Sequence, residues 1–212
     1  MPKQVDHEGR RRRIAEAVCR LADERGLEGV TLRDVASRAQ VSMGAVQRCF
    51  RDKEEMLLFA VGHVGRRVTE RARARLVGSP AQSAATALGH SAVEVALLRE
   101  EHHGEARVWL AFVAQAAVSE RLAEALRASY ADLQDLFARL VAEAARQTRE
   151  AGGTSTAAPD ALREARTLLA LVDGLTSHVL IGHLTSGEAE DLLHTHLAAL
   201  WARLDARPGE AG

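Results

Sequence analysis

The chain has 212 residues, of which 47% are hydrophobic but only 3% aromatic, with four prolines and a formal net charge of −1. Such an Ala-, Leu-, Arg- and Glu-rich composition favours an all-α protein whose core is built from Leu, Val and Ala. The near-zero balance excludes a polyelectrolyte as a whole, and no run of 18 apolar residues offers a membrane span. No apolar stretch follows the charges of MPKQVDHEGRRRR, so the expectation is a cytoplasmic protein with Cys19 and Cys49 as reduced thiols.

Residues 1–9 are polar and are expected to be a disordered tail. From Arg10 to Arg25, apolar residues at 14, 17, 18, 21 and 22 have helical spacing, and Gly26 supplies the stop. Thr31 is a good N-cap for a two-turn helix over 31–38, with Asp34 placed well for the helix dipole. Residues 39–41 make a tight turn, and Ser42 caps a second short helix that buries Val46, Cys49 and Phe50. Asp52 with Glu55 reads as a capping box for a long helix over 52–76. Ser79-Pro80-Ala81-Gln82 opens a helix expected to reach about His102, and another starts at Glu105. Ser119 caps a long helix to about Glu150, and GGTSTAAP (152–159) is a flexible loop. Residues 160–184 form a helix apolar nearly all round; Thr185 and Glu188 open the last one, and 206–212 form a loose tail.

Charge is divided unevenly along these elements. Residues 1–53 hold twelve Lys/Arg against eight Asp/Glu, and the remainder holds sixteen against twenty-one. A basic head on an acidic body makes the head the part that meets a polyanion. The two short helices joined by a three-residue turn are helix-turn-helix geometry, in which the second helix enters the DNA major groove. Ser42, Gly44 and Ala45 leave the start of that helix slim, so its backbone N–H groups approach the duplex, and Met43 beside them is a further candidate contact. Gln47 suits adenine and Arg48 guanine, or either grips phosphate, and Lys53 is placed to bind phosphate from the flank.

The stretch GLEGVTLRDVASRAQVSMGAVQRCFRDKEEML (26–57) resembles the DNA-binding head of the TetR family of bacterial transcriptional regulators. The resemblance rests on Gly26, Thr31, Ala36, Val41, Ser42, Gly44, Phe50, Lys53 and Glu54. It implies about nine helices: a three-helix head over 10–52 and a larger ligand-binding and dimerisation body over 53–205. It also implies that Thr31 holds a phosphate and that Arg33 reaches a base edge. Two departures stand out. Gln40 occupies a turn position where the family has Gly, and Gln47 stands where it has Tyr. The segment DGLTSHVLIGHL (173–184) resembles the body of the family's choline-regulator-like branch, without naming an effector.

In the body, the resemblance implies that the 160–184 helix and the last helix form a four-helix bundle across a two-fold axis, through Leu168, Leu171, Val172, Leu175, Val179, Leu193, Leu197 and Leu200; the alternative is that 160–184 is the central helix of a monomer. Two copies predict a palindromic DNA operator. Trp109, Phe112, Tyr130 and Phe137 are candidate walls of a pocket for a small-molecule effector, or else plain core. Its candidate polar anchors are His90, Glu94, Gln134, Asp173 and His178. The expected function is a ligand-released repressor with no cofactor. A helical enzyme is the first alternative, but no HExxH, phosphate loop or nucleophile elbow is present. A metal site, in an enzyme or in a metal-sensing body, is disfavoured because His194 and His196 point apart on a helix and His178 and His183 are five residues apart; the second alternative is a helical protein that binds only protein through a vestigial hairpin.

Overall fold

The computed structural model describes residues 2–77, 83–151 and 160–205, and all regular structure among them is helical. The elements are α1 (Pro2–Arg25), α2 (Leu32–Arg38), α3 (Met43–Cys49), α4 (Lys53–Val77), α5 (Ala84–Ala96), a 3-10 turn (Glu100–His102), α6 (His103–Ala116), α7 (Glu120–Glu150), α8 (Ala161–Leu180) and α9 (Ser186–Asp205). The helix opening expected at 79–82, the loop at 152–159 and the tail at 206–212 lie outside the described residues.

The residues pack into two compact units. Unit 1 is Met1–Arg67 with Glu101–Ser129, and unit 2 is Val68–Glu100 with Tyr130–Gly212. This packing division differs from the functional division expected at residue 52, because α4 and α7 each contribute to both units.

In unit 1, α1 packs on α2, α3 and α6, and α2 packs on α3. Ile14, Val18, Val35, Val46 and Met56 are fully buried there. Residues 2–9, expected to be loose, instead continue α1. Proline at a first helical position needs no N–H partner, and Glu8 stands four residues before Arg12, the favourable orientation for a helix ion pair. The arginine run is also not simply solvated. The Arg11 guanidinium lies 4.8 Å from the ring centre of Phe50 and 4.4 Å from that of Phe59, and those two rings are 5.5 Å apart. A cation over two aromatic faces ties α1 to the end of α3 and to α4.

In unit 2, α5, α8 and α9 pack on one another. Helix α5 ends at Ala96 rather than near His102, because Leu97 takes a left-handed conformation (φ 51°) and turns the chain. The carbonyls near that exit find partners on other elements. Thr176 Oγ1 donates to Ala96 O at 2.7 Å, and Ser186 Oγ donates to Leu98 O at 2.7 Å. Helix α8 stops at Leu180, short of the expected residue 184. Gly182 (φ 72°) donates to Val179 O at 3.0 Å and His183 N–H donates to His178 O at 2.9 Å, a Schellman closure that satisfies the last carbonyls.

Candidate nucleic-acid interface and effector body

Local chemistry builds the helix-turn-helix. Thr31 Oγ1 accepts from Asp34 N–H at 3.2 Å and donates to the Asp34 carboxylate at 2.7 Å, which starts α2. The end of α2 is a second Schellman closure: Gln40 N–H donates to Ser37 O at 3.1 Å and Val41 N–H to Ala36 O at 3.0 Å. Gln40 sits at the left-handed position of that motif with φ 54°. The departure from glycine noted in the sequence therefore falls where a side chain is strained. Ser42 Oγ then accepts from Ala45 N–H at 3.2 Å and starts α3. Arg38 donates through both terminal nitrogens to the two Glu24 carboxylate oxygens at 2.6 and 2.7 Å, bracing α2 against α1. That fork holds the Glu24 carboxyl below the usual carboxylate range.

The outward side of α3 carries Met43, Gln47 and Arg48, with Gly44 half-exposed beside them; Thr31, Arg33 and Ser42 are exposed as well. Ala45 is a correction. It lies inward with Val46 and Cys49, 7% exposed, because packing takes up three of the seven positions in so short a helix. The slim approach rests on Ser42 and Gly44. Lys53 is half-buried, its Nζ donating to Glu28 O at 3.4 Å, on the rim of a groove of about 310 Å3 lined by Leu27, Leu57 and Leu122. Arg51, not singled out from the sequence, is 82% exposed directly after α3. Its signal was an Arg-Asp-Lys run between the recognition helix and α4.

The nine effector candidates divide between the two units. Trp109 and Phe112 belong to the core of unit 1, where Trp109 lies by the close approach of Gly65 to Ser129. Phe137 is fully buried in unit 2, so it and Phe112 are core, the second of the two readings left open by the sequence. Tyr130 OH donates to Asp173 Oδ2 at 2.5 Å, and Gln134 accepts from Arg166 Nε at 3.0 Å. His90 and Glu94 line a separate groove of about 330 Å3 with Val93, Arg99, Glu190 and His194. Glu94 is 4% exposed, with Arg99 at 3.6 Å and Arg71 at 3.9 Å. His178 is exposed at the end of α8.

The expected dimer list is corrected in a similar way. Leu168, Val172, Leu175, Leu193, Leu197 and Leu200 are buried within the chain's own unit 2, and only Leu171 and Val179 are half-exposed. The buried leucines and valine form the inner stripe of α8 and α9, which pack on each other and on α5; the outer stripe mixes small and larger residues. On α8 that stripe is Ala170, Leu171, Gly174 and His178, and on α9 it is Leu192 (49% exposed), Thr195 and Ala199.

A capped helix-turn-helix with a polar, basic outer face, on a chain that continues into a helical body, defines a DNA-binding transcriptional regulator. Comparison with known proteins agrees. Residues 14–60 match the model of bacterial regulatory proteins of the tetR family, and residues 84–202 match that of the C-terminal part of BetI-type transcriptional repressors. The HTH-type transcriptional regulator PksA of Bacillus subtilis (strain 168) is 34% identical over 184 residues, covering 85% of this chain and 83% of the relative. The HTH-type transcriptional regulator BetI of Burkholderia thailandensis is 34% identical over 179 residues, with 82% and 84% covered. A solved transcriptional regulator from Rhodococcus sp. Rha1 is 32% identical with a TM-score of 0.73, covering 93% of this chain and 99% of that one. A regulator from Saccharomonospora viridis, solved in complex with choline, is 26% identical with a TM-score of 0.67, covering 89% and 93%. The chain belongs to the TetR family. It is a helix-turn-helix transcriptional regulator with a BetI-type body, not an enzyme. Among the described residues no helix is long and apolar enough to cross a membrane.

Proposed function

We propose that the protein is a cytoplasmic repressor that binds a palindromic operator as a homodimer and leaves it when a small molecule binds the body. Residues 10–52 read DNA, and 53–205 sense the effector and hold the dimer. The observation that carries the reading is the outward face of α3, where Gln47 and Arg48 are exposed while Val46 and Cys49 anchor the helix from behind. Arg48 and Gln47 reach base edges. Thr31, Ser42, Lys53 and the newly noted Arg51 serve the phosphates, and Arg33 lies toward the groove wall. Lys53 must exchange the Glu28 carbonyl for a phosphate oxygen, a favourable swap for a cation.

The dimer forms through the outer stripe of α8 and α9. Gly174 supports this: a Cβ built there meets nothing within 4 Å of its own chain, so the glycine leaves room for something outside it. For the effector, the solved relative with choline makes small quaternary amines the first class to assay. Tyr130 and Asp173 offer an aromatic face and an anionic oxygen of the kind that such cations use.

Operator sequences selected from random DNA test the reading, with anisotropy titrations on the selected site and on scrambled duplex. Lys53→Ala should weaken both duplexes alike and reduce the salt slope by about one. Arg48→Ala should weaken the selected site by about 1–3 kcal/mol and the scrambled one less. A protein that ignores all duplexes at low ionic strength sinks the proposal, and a selected site without dyad symmetry sinks its dimeric part.

A further inference from the structure

His178 and His183 are five residues apart, a spacing that places two side chains on different faces of a continuous helix. The helix is not continuous here. The left-handed turn at Gly182 folds the chain back, and both His183 N–H (2.9 Å) and Leu184 N–H (3.2 Å) donate to the carbonyl of His178. The two imidazole rings are thereby brought to 4.9 Å between centres, at 74° to one another, and both residues are exposed.

That separation has a chemical meaning. A zinc ion sits about 2.0–2.1 Å from each imidazole nitrogen, hence about 3.2 Å from each ring centre, and at the tetrahedral angle two such rings stand about 5.2 Å apart. The observed 4.9 Å lies within a few tenths of an ångström of that spacing. Within the chain the pair is only half a site, since among the described residues no group of three His, Cys, Asp or Glu is placed to hold a metal. His178, however, shares the outward stripe of α8 with Leu171 and Gly174 (i, i+3, i+7), the face that the proposed dimer assigns to a second copy. A two-fold axis repeats every contact, so a pair near the axis on one protomer faces the same pair on the other.

We propose that His178 and His183 form half of a site for a divalent transition-metal cation of the zinc type, completed by the same two histidines of a second copy. Imidazole ligands suit zinc, nickel, cobalt and copper. Four neutral imidazoles around one ion would clamp the ends of α8 across the axis and make dimer stability depend on metal. The inference rests on the dimer reading above.

The test uses tag-free, chelator-stripped full-length protein. Zinc uptake is measured by equilibrium dialysis, the coordination geometry by the visible absorption of cobalt(II), and the assembly state by sedimentation with zinc or with chelator. The expected result is about one zinc per two chains, a tetrahedral cobalt spectrum and a tighter dimer with zinc. His178→Gln and His183→Gln, both at exposed positions, should each weaken uptake by at least about tenfold, whereas His90→Gln should not. A dimer that takes up no zinc, or takes it up equally in the two variants, overturns the site and leaves the dimer standing. Uptake of one zinc per chain overturns the shared site. A chain that stays monomeric with and without zinc overturns the dimer reading and this inference with it.

Discussion

Replacing Gln40 by glycine should stabilise the protein, and the size of the gain follows from the α2 exit. Gln40 holds φ at 54° because it is the left-handed residue of a Schellman closure whose two hydrogen bonds, to Ser37 O and Ala36 O, are both made by backbone. Any side chain there carries the left-handed penalty of about 1–2 kcal/mol. Glycine removes it but loses about 0.5–1 kcal/mol more backbone entropy on folding. The side chain is exposed, so its removal forfeits little burial. The net expectation is a gain of about 0.5–1 kcal/mol, or a rise in Tm of about 1–4 °C for a chain of this size. The chain contains its own reference, since the equivalent position at the end of α8 is Gly182 with φ 72°. Urea titrations with matched slopes would measure the difference, with Gln40→Ala as a control that keeps the penalty and should sit at or below wild type. Operator affinity should be unchanged, because the turn geometry is kept. A glycine variant no more stable than wild type would refute the strain argument. It would mean that Gln40, in a groove with Leu21, Arg25, Asp34 and Arg38, earns from that groove as much as its backbone costs.

Thr176→Val should destabilise by about 1–3 kcal/mol in the same titration, because it deprives the buried Ala96 carbonyl of a 2.7 Å partner while keeping the side-chain shape. An unchanged midpoint would show that α5 does not need that bond to end. His63 should make the fold acid-sensitive. Burial first, and then the nearby Arg67 charge, lower its pKa from 6.5, although Glu16 and Glu105 oppose this and Arg66 adds to it. Its contribution is complete above pH 6.5 and is lost as the pH falls below that value, where the unfolded chain binds the proton that the folded one resists. His63→Gln should flatten that limb of the stability profile, and an imidazole titrating at or above the free value by NMR would contradict the assignment. Cys19 is half-buried, and desolvation pushes its thiol up to about 12, so it should react more slowly with thiol reagents at pH 8 in the folded protein than in the unfolded one. Fast stoichiometric labelling of the native Cys19→Ala variant would instead point to Cys49, which is only 5% exposed.

Elements written in local chemistry were legible before any coordinates. The Thr31, Ser42 and Asp52 caps and the Thr185–Glu188 box start helices where the sequence places them; Glu188 N–H donates to Thr185 Oγ1 at 3.2 Å and Thr185 N–H to Glu188 Oε2 at 2.8 Å. Each cap is decided within four residues of chain, so a linear reading suffices. At Gln40 the resemblance marked only a departure from glycine; the structure supplies the positive φ.

What depended on distant chain was not legible. Periodicity shows that Leu168, Val172 and Leu193 are on apolar faces but not which neighbour those faces meet; packing with α5 claims them and leaves the stripe with Gly174 outside. The end of α5 was misplaced because its carbonyls are satisfied by Thr176 and Ser186, some 80 and 88 residues away in sequence from the groups they meet. The aromatic candidates divided between two cores, and His178 and His183 met only because a turn brought them back. Amino-acid order determined where helices begin, which faces are apolar and which short helix is free to read DNA, since those depend on bonds between near neighbours. Tertiary structure alone decided which apolar faces are spent inside the chain and which polar groups meet, because burial is a competition among segments that are far apart along the backbone.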